Sequence, residues 1–527
     1  MRGRTIFFVL LAVSGLVLCT GGLVIDPDTQ TEPVLRTEPD PRYFTYEEVL
    51  DLFDTYAAQY PDIFHREIIG YTGVGNEPIW AAKISDNASE PEAEARVLIH
   101  AAQHANELNG IGAIMHMIER LLTGYGQNSY YTELVDDLET WFVPIVNVDG
   151  HRKVYAGLED WDWIRKTTRD NDLNGYYTFP EDGVDPNRNW DHNWAAYDST
   201  NYESSRYKGP YPFSEACVVV TRDIVLRERP VILMDLHSPD VPSIGNKIWW
   251  PWYDPNTWQE SVDGAIYQPI SQALGYNTLT ETGGYYNGNG AAYNTLPKEQ
   301  CWVYKNTGSC ALLMEISLQF WWTGAMVDTV AHRVGRGLFY LLEKTHDGPG
   351  LTGTVTNSLT GQPVIADVRV NQYHDPDIGP RLTEASHGKY WRFLPAGSYN
   401  VVVTAEGYDT EYASIYVSSS GWTELNVQLD PEPAGVDDAP TPAGDRILWA
   451  GTPLHRGDAV HFRLAEPADV RLEMVDATGR SVSTLVAGAY PAGEHNVKLQ
   501  ADVRAGTYFL KLAAGDQIHT SKVLIVE

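Results

Sequence analysis

At 527 residues, of which 43% are hydrophobic, the chain is longer than one domain normally holds and has apolar material for a large core. Its 70 acidic against 38 basic residues leave a net charge of -32, which argues against binding DNA, RNA or an anionic membrane through bulk electrostatics. Two or three globular domains with a soluble surface are expected.

Arg2 and Arg4 precede an apolar stretch from Ile6 to Leu18 and the small residues Thr20, Gly21 and Gly22, the three-part layout of a secretory signal peptide spanning residues 1–22. Cys19 invites acylation, but Leu18 stands where a small residue is normally required, so cleavage near Gly22 without a lipid is the expectation. No later segment approaches the apolar length needed to span a bilayer. A secreted or cell-surface location follows. Past the signal peptide the cysteines are Cys217, Cys301 and Cys310; an oxidising compartment permits one disulfide, with Cys301 and Cys310 the nearest pair and the pairing left open.

After a short segment at 23–40, Thr45 and Glu48 form a capping box ahead of Val49, Leu50, Phe53 and Tyr56 at helical spacing, which predicts a first amphipathic helix. Predicted strands then alternate with helices: Ile79 to Ile84, Val97 to His100, a helix from Gly110 to Leu122, Trp141 to Asn147, Val231 to Leu236, Ala311 to Ile316, and a helix from Val327 to Lys344. Residues 41–345 therefore read as one α/β domain with a mixed sheet. His104 and Glu107 lie just past the strand at Val97, and His237 ends the run Val231 to Leu236. Open α/β sheets usually build their sites at such strand ends. Two imidazoles and a carboxylate, two of them three residues apart and the third distant, make a zinc site with an open fourth position.

Beyond Gly350 the pattern changes to short alternating runs with Gly and Asn turns, such as Thr354 to Thr356, Ala366 to Val370 and Tyr399 to Thr404, a small all-β sandwich over 349–430. Residues 431–445, rich in Pro, Ala, Gly and Asp, read as a linker. A second small β-sandwich follows at 446–527. The phrase Ala396-Gly397-Ser398-Tyr399 recurs as Ala505-Gly506-Thr507-Tyr508, suggesting similar hairpins.

Several separated motifs make residues 41–345 resemble a zinc metallocarboxypeptidase of the carboxypeptidase A type. They are His104-Ala-Asn-Glu107, Asp235-Leu-His237-Ser238, Trp163-Ile164-Arg165-Lys166-Thr167, Gly183-Val184-Asp185-Pro186-Asn187-Arg188-Asn189-Trp190, Tyr207 to Glu215, and the spacing of Tyr293 to Glu315. The resemblance implies one zinc ion on His104, Glu107 and His237, and a water acidified towards a pKa of about 7. It implies Glu315 as the proton acceptor and donor, Arg165 as the oxyanion's partner, and Tyr293 closing over substrate. Asn187 and Arg188 would hold the free C-terminal carboxylate of a peptide or protein, where the planar guanidinium makes a bidentate match. Gln300 falls at the family's main selectivity position and carries no charge, and Cys301 replaces the aspartate that usually follows. Residues 23–40 are too short for the folded inhibitory pro-domain of digestive relatives.

Residues 349–430 resemble the regulatory-like domain that often follows such catalytic domains. Residues 446–527, with Val470 to Val475, Gly479-Arg480 and Lys522 to Glu527, resemble the C-terminal sorting domains of bacterial type IX secretion, which implies contact with that export machinery. Between Arg165 and Asn187, the run Asp170-Asn171-Asp172-Leu173-Asn174-Gly175 followed by five residues to Glu181 fits a calcium loop of the EF-hand type. It predicts calcium on Asp170, Asp172, Asn174, the Tyr176 carbonyl and Glu181. Two other functions remain open at this stage: an amidase or peptidase acting on peptidoglycan stem peptides, and a catalytically inactive surface module that binds peptides in the same pocket.

Overall fold

The apolar runs at Val97, Trp141 and Val231 form strands that are buried end to end, as strands covered on both faces must be. The computed structural model describes residues 39–432 apart from 159–160, 240–241, 255 and 258, the pairs 23–24 and 34–35, and, of 448–525, all but 451–453, 455–457, 476–479, 500–505 and 516. The expected signal peptide and nearly all of the expected linker lie outside the described residues.

Helix α1 (Tyr46–Gln59) starts at Thr45, whose side chain accepts from the Glu48 amide while Glu48 reaches back to the Thr45 amide, the reciprocal cap that its sequence predicts. Strands β1 (Phe64–Tyr71), β2 (Pro78–Ile84) and β3 (Ala95–Ala101) follow, then α2 (Asn109–Gly124), α3 (Ser129–Asp136) and β4 (Leu138–Val143). The strand expected from Trp141 to Asn147 is shifted: pairing ends at Val143, and the Asn147 side chain accepts from the Gly150 amide to cap α4 (Val148–Val154). After α5 (Ala216–Glu228) come β5 (Ile232–His237), β6 (Lys247–Tyr253), α6 (Gly264–Asn277), β7 (Asn287–Tyr293), α7 (Glu299–Thr307), β8 (Cys310–Glu315) and α8 (Ala325–Asp347).

The eight strands form one mixed sheet in the order β1-β2-β4-β3-β5-β8-β6-β7. Its centre, β4-β3-β5-β8, is parallel, so four C-terminal strand ends emerge side by side. The α/β reading holds.

Two further sheets follow in the same compact unit, which runs to Pro431. One joins β11 (Lys389–Phe393), β9 (Gly350–Asn357) and β14 (Trp422–Glu424), with β15 (Val427–Leu429) also on β9; the other is β10 (Asp367–Val370), β12 (Gly397–Thr404) and β13 (Glu411–Val417). Asp263, just before α6, accepts from Arg381 at 2.6 Å and Arg392 at 3.2 Å across the junction. The second unit, taken by itself, has the sheets β16 (Leu448–Ala450), β17 (Ala459–Leu464), β20 (Gly493–Lys498) and β19 (Ser481–Tyr490), β18 (Ala468–Val475), β21 (Gly506–Ala514), β22 (Gln517–Ile525) around Phe462, Leu472 and Leu510. No helix among the described residues is long and apolar enough to cross a membrane. The three cysteines Cys217, Cys301 and Cys310 are buried and free, so the Cys301 to Cys310 pairing is not made. The Cys301 Sγ is directed instead to the Tyr293 carbonyl at 3.6 Å.

Candidate active site

Parallel register sets the centre of the site. In the β5/β8 pair His237 stands directly opposite Glu315, and the Ile316 amide donates to the His237 carbonyl at 2.7 Å. His104 and Glu107 come from the loop between β3 and α2. That loop is tied down by the Asn147 side-chain amide, which donates to the carbonyls of Gln103 and Lys166, and by the Ala105 amide, which donates to Arg165. One asparagine thus holds the loop of His104 against the loop of Arg165.

His104 Nδ1 lies 2.8 Å from one Glu107 oxygen, His237 Nδ1 lies 2.8 Å from the other, and the two Nδ1 atoms are 2.9 Å apart. All three residues are buried. Two neutral imidazole nitrogens so placed can satisfy only one lone pair between them, whereas a cation with bonds of about 2.0–2.2 Å satisfies all three donors. The set therefore fits zinc. Behind the ligands, His104 Nε2 meets Asp185 at 3.0 Å and His237 Nε2 meets Asp235 at 2.6 Å, so each ring is held with Nδ1 inward. The strand explains the second contact: residues two apart share a face, which stacks Asp235 beneath His237. Asp235 and Asp185 stand within the quoted motifs; the two-residue spacing of Asp235 to His237 was the legible signal for Asp235, whereas Asp185 reaches His104 from 81 residues away.

Arg165 donates to Glu107 at 3.0 Å and to Asp185 at 3.2 Å. Burial opposes ionisation of Asp185, but Arg165 and His104 hold its carboxyl well below the usual range. Asn187 and Arg188 lie in a short 3-10 turn capped by the Asp185 side chain, which accepts from the Asn187 amide. The Asn187 carbonyl oxygen of the side chain accepts from the Glu299 amide at 3.1 Å, and its amide nitrogen reaches His237 at 3.3 Å. Upstream, Gly183 has φ +85, and a Cβ there would lie 2.1 Å from the Thr167 carbonyl oxygen. Only glycine lets the backbone pass here.

Glu315 faces the same cavity. Burial raises its pKa from the ordinary 4.5 to about 7, with Glu107 adding to the rise and His237, Lys298 and Arg165 opposing it. Tyr293, 45% exposed at the end of β7, stands at the rim. A cavity of about 300 Å³ is lined by His104, Glu107, Arg165, Asn187, Arg188, His237, Tyr293 and Glu315 together.

Two expectations need correction. Gln300 is 0% exposed in the first turn of α7 and does not line the cavity; Lys298, two residues earlier, does. The calcium loop lacks its expected terminal ligand: Asp182, not Glu181, converges with Asp170 and Asp172. The loop's carboxylates are taken up locally, Asp170 by the Asn174 and Gly175 amides and Asp182 by the Asn171 and Thr178 amides, so the turn folds on itself and calcium gains no support.

The sequence profile described as zinc carboxypeptidase matches residues 49–328, more than half of the chain, and that of the carboxypeptidase regulatory-like domain matches 350–430. Carboxypeptidase D of Anas platyrhynchos is 24% identical over 452 residues, covering 79% of this chain and 30% of that protein. Carboxypeptidase A1 of Sus scrofa is 29% identical over 185 residues, covering 35% of this chain and 41% of that one. The chain thus spans less than a third of the carboxypeptidase D relatives it matches. Among solved structures, carboxypeptidase A from Helicoverpa armigera matches with a TM-score of 0.48 and 19% identity, over 61% of this chain and 76% of that one.

Proposed function

Because the chain belongs to the zinc carboxypeptidase family, we propose that it is a zinc-dependent carboxypeptidase that removes residues one at a time from free peptide C-termini. The observation that carries this reading is the cavity that brings the histidine–glutamate triad, Glu315, Arg165 and the Asn187–Arg188 pair together. Zinc on His104, Glu107 and His237 supplies a Lewis acid that acidifies water and polarises a carbonyl.

The chain's own residues supply the rest. Glu315, half-desolvated at its strand end, takes a proton from the attacking water and delivers it to the leaving amine. Arg165, already fixed between Glu107 and Asp185, donates to the oxygen on which charge develops, and needs no reorganisation to do so. Arg188, whose Nη1 donates to the Asn187 carbonyl and whose Nε reaches the Tyr197 hydroxyl at 3.4 Å, grips the terminal carboxylate with Asn187. Tyr293 covers the bound residue from the rim.

A secreted setting, with residues 1–22 removed and 446–527 addressing the chain to an export system, extends the same reading. It is motivated by the charged, apolar and small-residue order of the N-terminus. The mass of the protein recovered from the native host's medium tests it.

The function itself is tested with one peptide made twice, as free acid and as C-terminal amide, incubated with the zinc-loaded chain. Release of the last residue from the acid alone, abolished by a chelator and restored by zinc, is expected. Equal cleavage of the amide would remove the carboxylate clamp from the account.

A further inference from the structure

Resting on the carboxypeptidase reading, we propose that Lys298 makes the enzyme selective for C-terminal residues that carry a side-chain carboxylate, glutamate above all. The cavity's polar wall already provides for a peptide's terminal carboxylate through Asn187 and Arg188. Lys298 is a further cation lining the same cavity, whose wall also carries the apolar side chains of Ile244, Trp249 and Leu313. It starts α7, and the amide of the following residue, Glu299, donates to Asn187, so the lysine and the clamp are fixed to one another.

Its ammonium has no ion pair or hydrogen bond among the described residues. Burial and the neighbouring Arg188 and Arg165 disfavour its charge, while Glu315 and Cys301 act the other way. A half-buried cation with an unmet donor set is costly to leave alone and gains most from an entering anion. The cavity also holds Arg206, against the carboxylates Glu107 and Glu315, one of which is committed to the triad. A lysine or arginine side chain would meet like charge there, and an apolar one would leave the ammonium without a partner. A glutamate side chain held in the same cavity supplies the missing anion and closes the pair.

The test uses four peptides that differ only in a final glutamate, glutamine, leucine or lysine, with the intact zinc-loaded chain and its Lys298→Met and Lys298→Glu variants. For the unsubstituted chain, kcat/KM for glutamate should exceed that for its neutral isostere glutamine by about tenfold or more. Lys298→Met should erase that ratio, with its zinc content and melting temperature showing that the variant folds, and Lys298→Glu should favour lysine over glutamate. Glutamate no better than glutamine overturns the assignment while the carboxypeptidase stands. A uniform fall for all four peptides in Lys298→Met also overturns it, because the lysine would then belong to the terminal-carboxylate clamp. Cleavage of none of the four by the unsubstituted chain overturns both readings.

Discussion

Two places in the first unit bury several charges each, and they do so in opposite ways. At the junction with the β-domain, Asp263 is 1% exposed and both of its oxygens are met by arginines, Arg381 on one and Arg392 on the other. In the cavity, the two histidine nitrogens face each other, Glu315 is pushed up to about 7, and Lys298 stands without a pair among the described residues. Completed pairing is what a fold needs from a buried charge. Pairing left unfinished, with the backs of the ligands tightly held, is what a site needs for a metal and a substrate.

The largest effect should come from the unfinished side. Glu315→Gln keeps the shape of the side chain and removes its proton transfer, so kcat should fall by about 10²–10⁴-fold with zinc content unchanged. An active Glu315→Gln enzyme would place the base elsewhere. On the finished side, Asp263→Ala leaves two buried arginines without their carboxylate and should cost about 3–5 kcal/mol in denaturant unfolding, while KM of the folded enzyme stays the same. A stability loss under about 1 kcal/mol would show that the junction is not held by this cluster. Between the two, Asp235→Asn should weaken zinc binding by about 10–100-fold in a competition titration, because it loosens the back of His237 and not the ligand itself.

A carboxylate far from the cavity tests the contrast most gently. Glu94, crowded by Glu92, Asp86 and Glu139, has its pKa raised from 4.5 to about 8, first by burial and then by those charges. Its folded value lies above its unfolded one, so any stability it contributes is complete below about 4.5 and is lost as pH rises towards about 8. Melting temperatures of Glu94→Gln should therefore fall less between pH 5 and 8 than those of the unsubstituted chain. An identical pH slope in both would show that Glu94 ionises freely.

Much of this was legible along the chain. Apolar runs that stop at a histidine or a glutamate predict strand ends, and parallel neighbours set His237 beside Glu315. The Thr45 and Glu48 cap was equally plain, because its bonds are local. Strand β7, Asn-Gly-Asn-Gly-Ala-Ala-Tyr, has little intrinsic preference for extended structure and exists through its pairing with β6. Gln300 misled because spacing counts residues and not directions: the turn that starts α7 puts Gln300 into the core and Lys298 into the cavity. The calcium spacing misled similarly, since the buried carboxylate is Asp182, one residue past the motif's last position.

The most direct test of the account is mass spectrometry over time on a mixture of peptides incubated with the zinc-loaded chain, beside the Glu315→Gln variant. A ladder of products shortened one residue at a time from the C-terminus is expected, absent from the variant. Internal fragments, or intact peptides throughout, would contradict it.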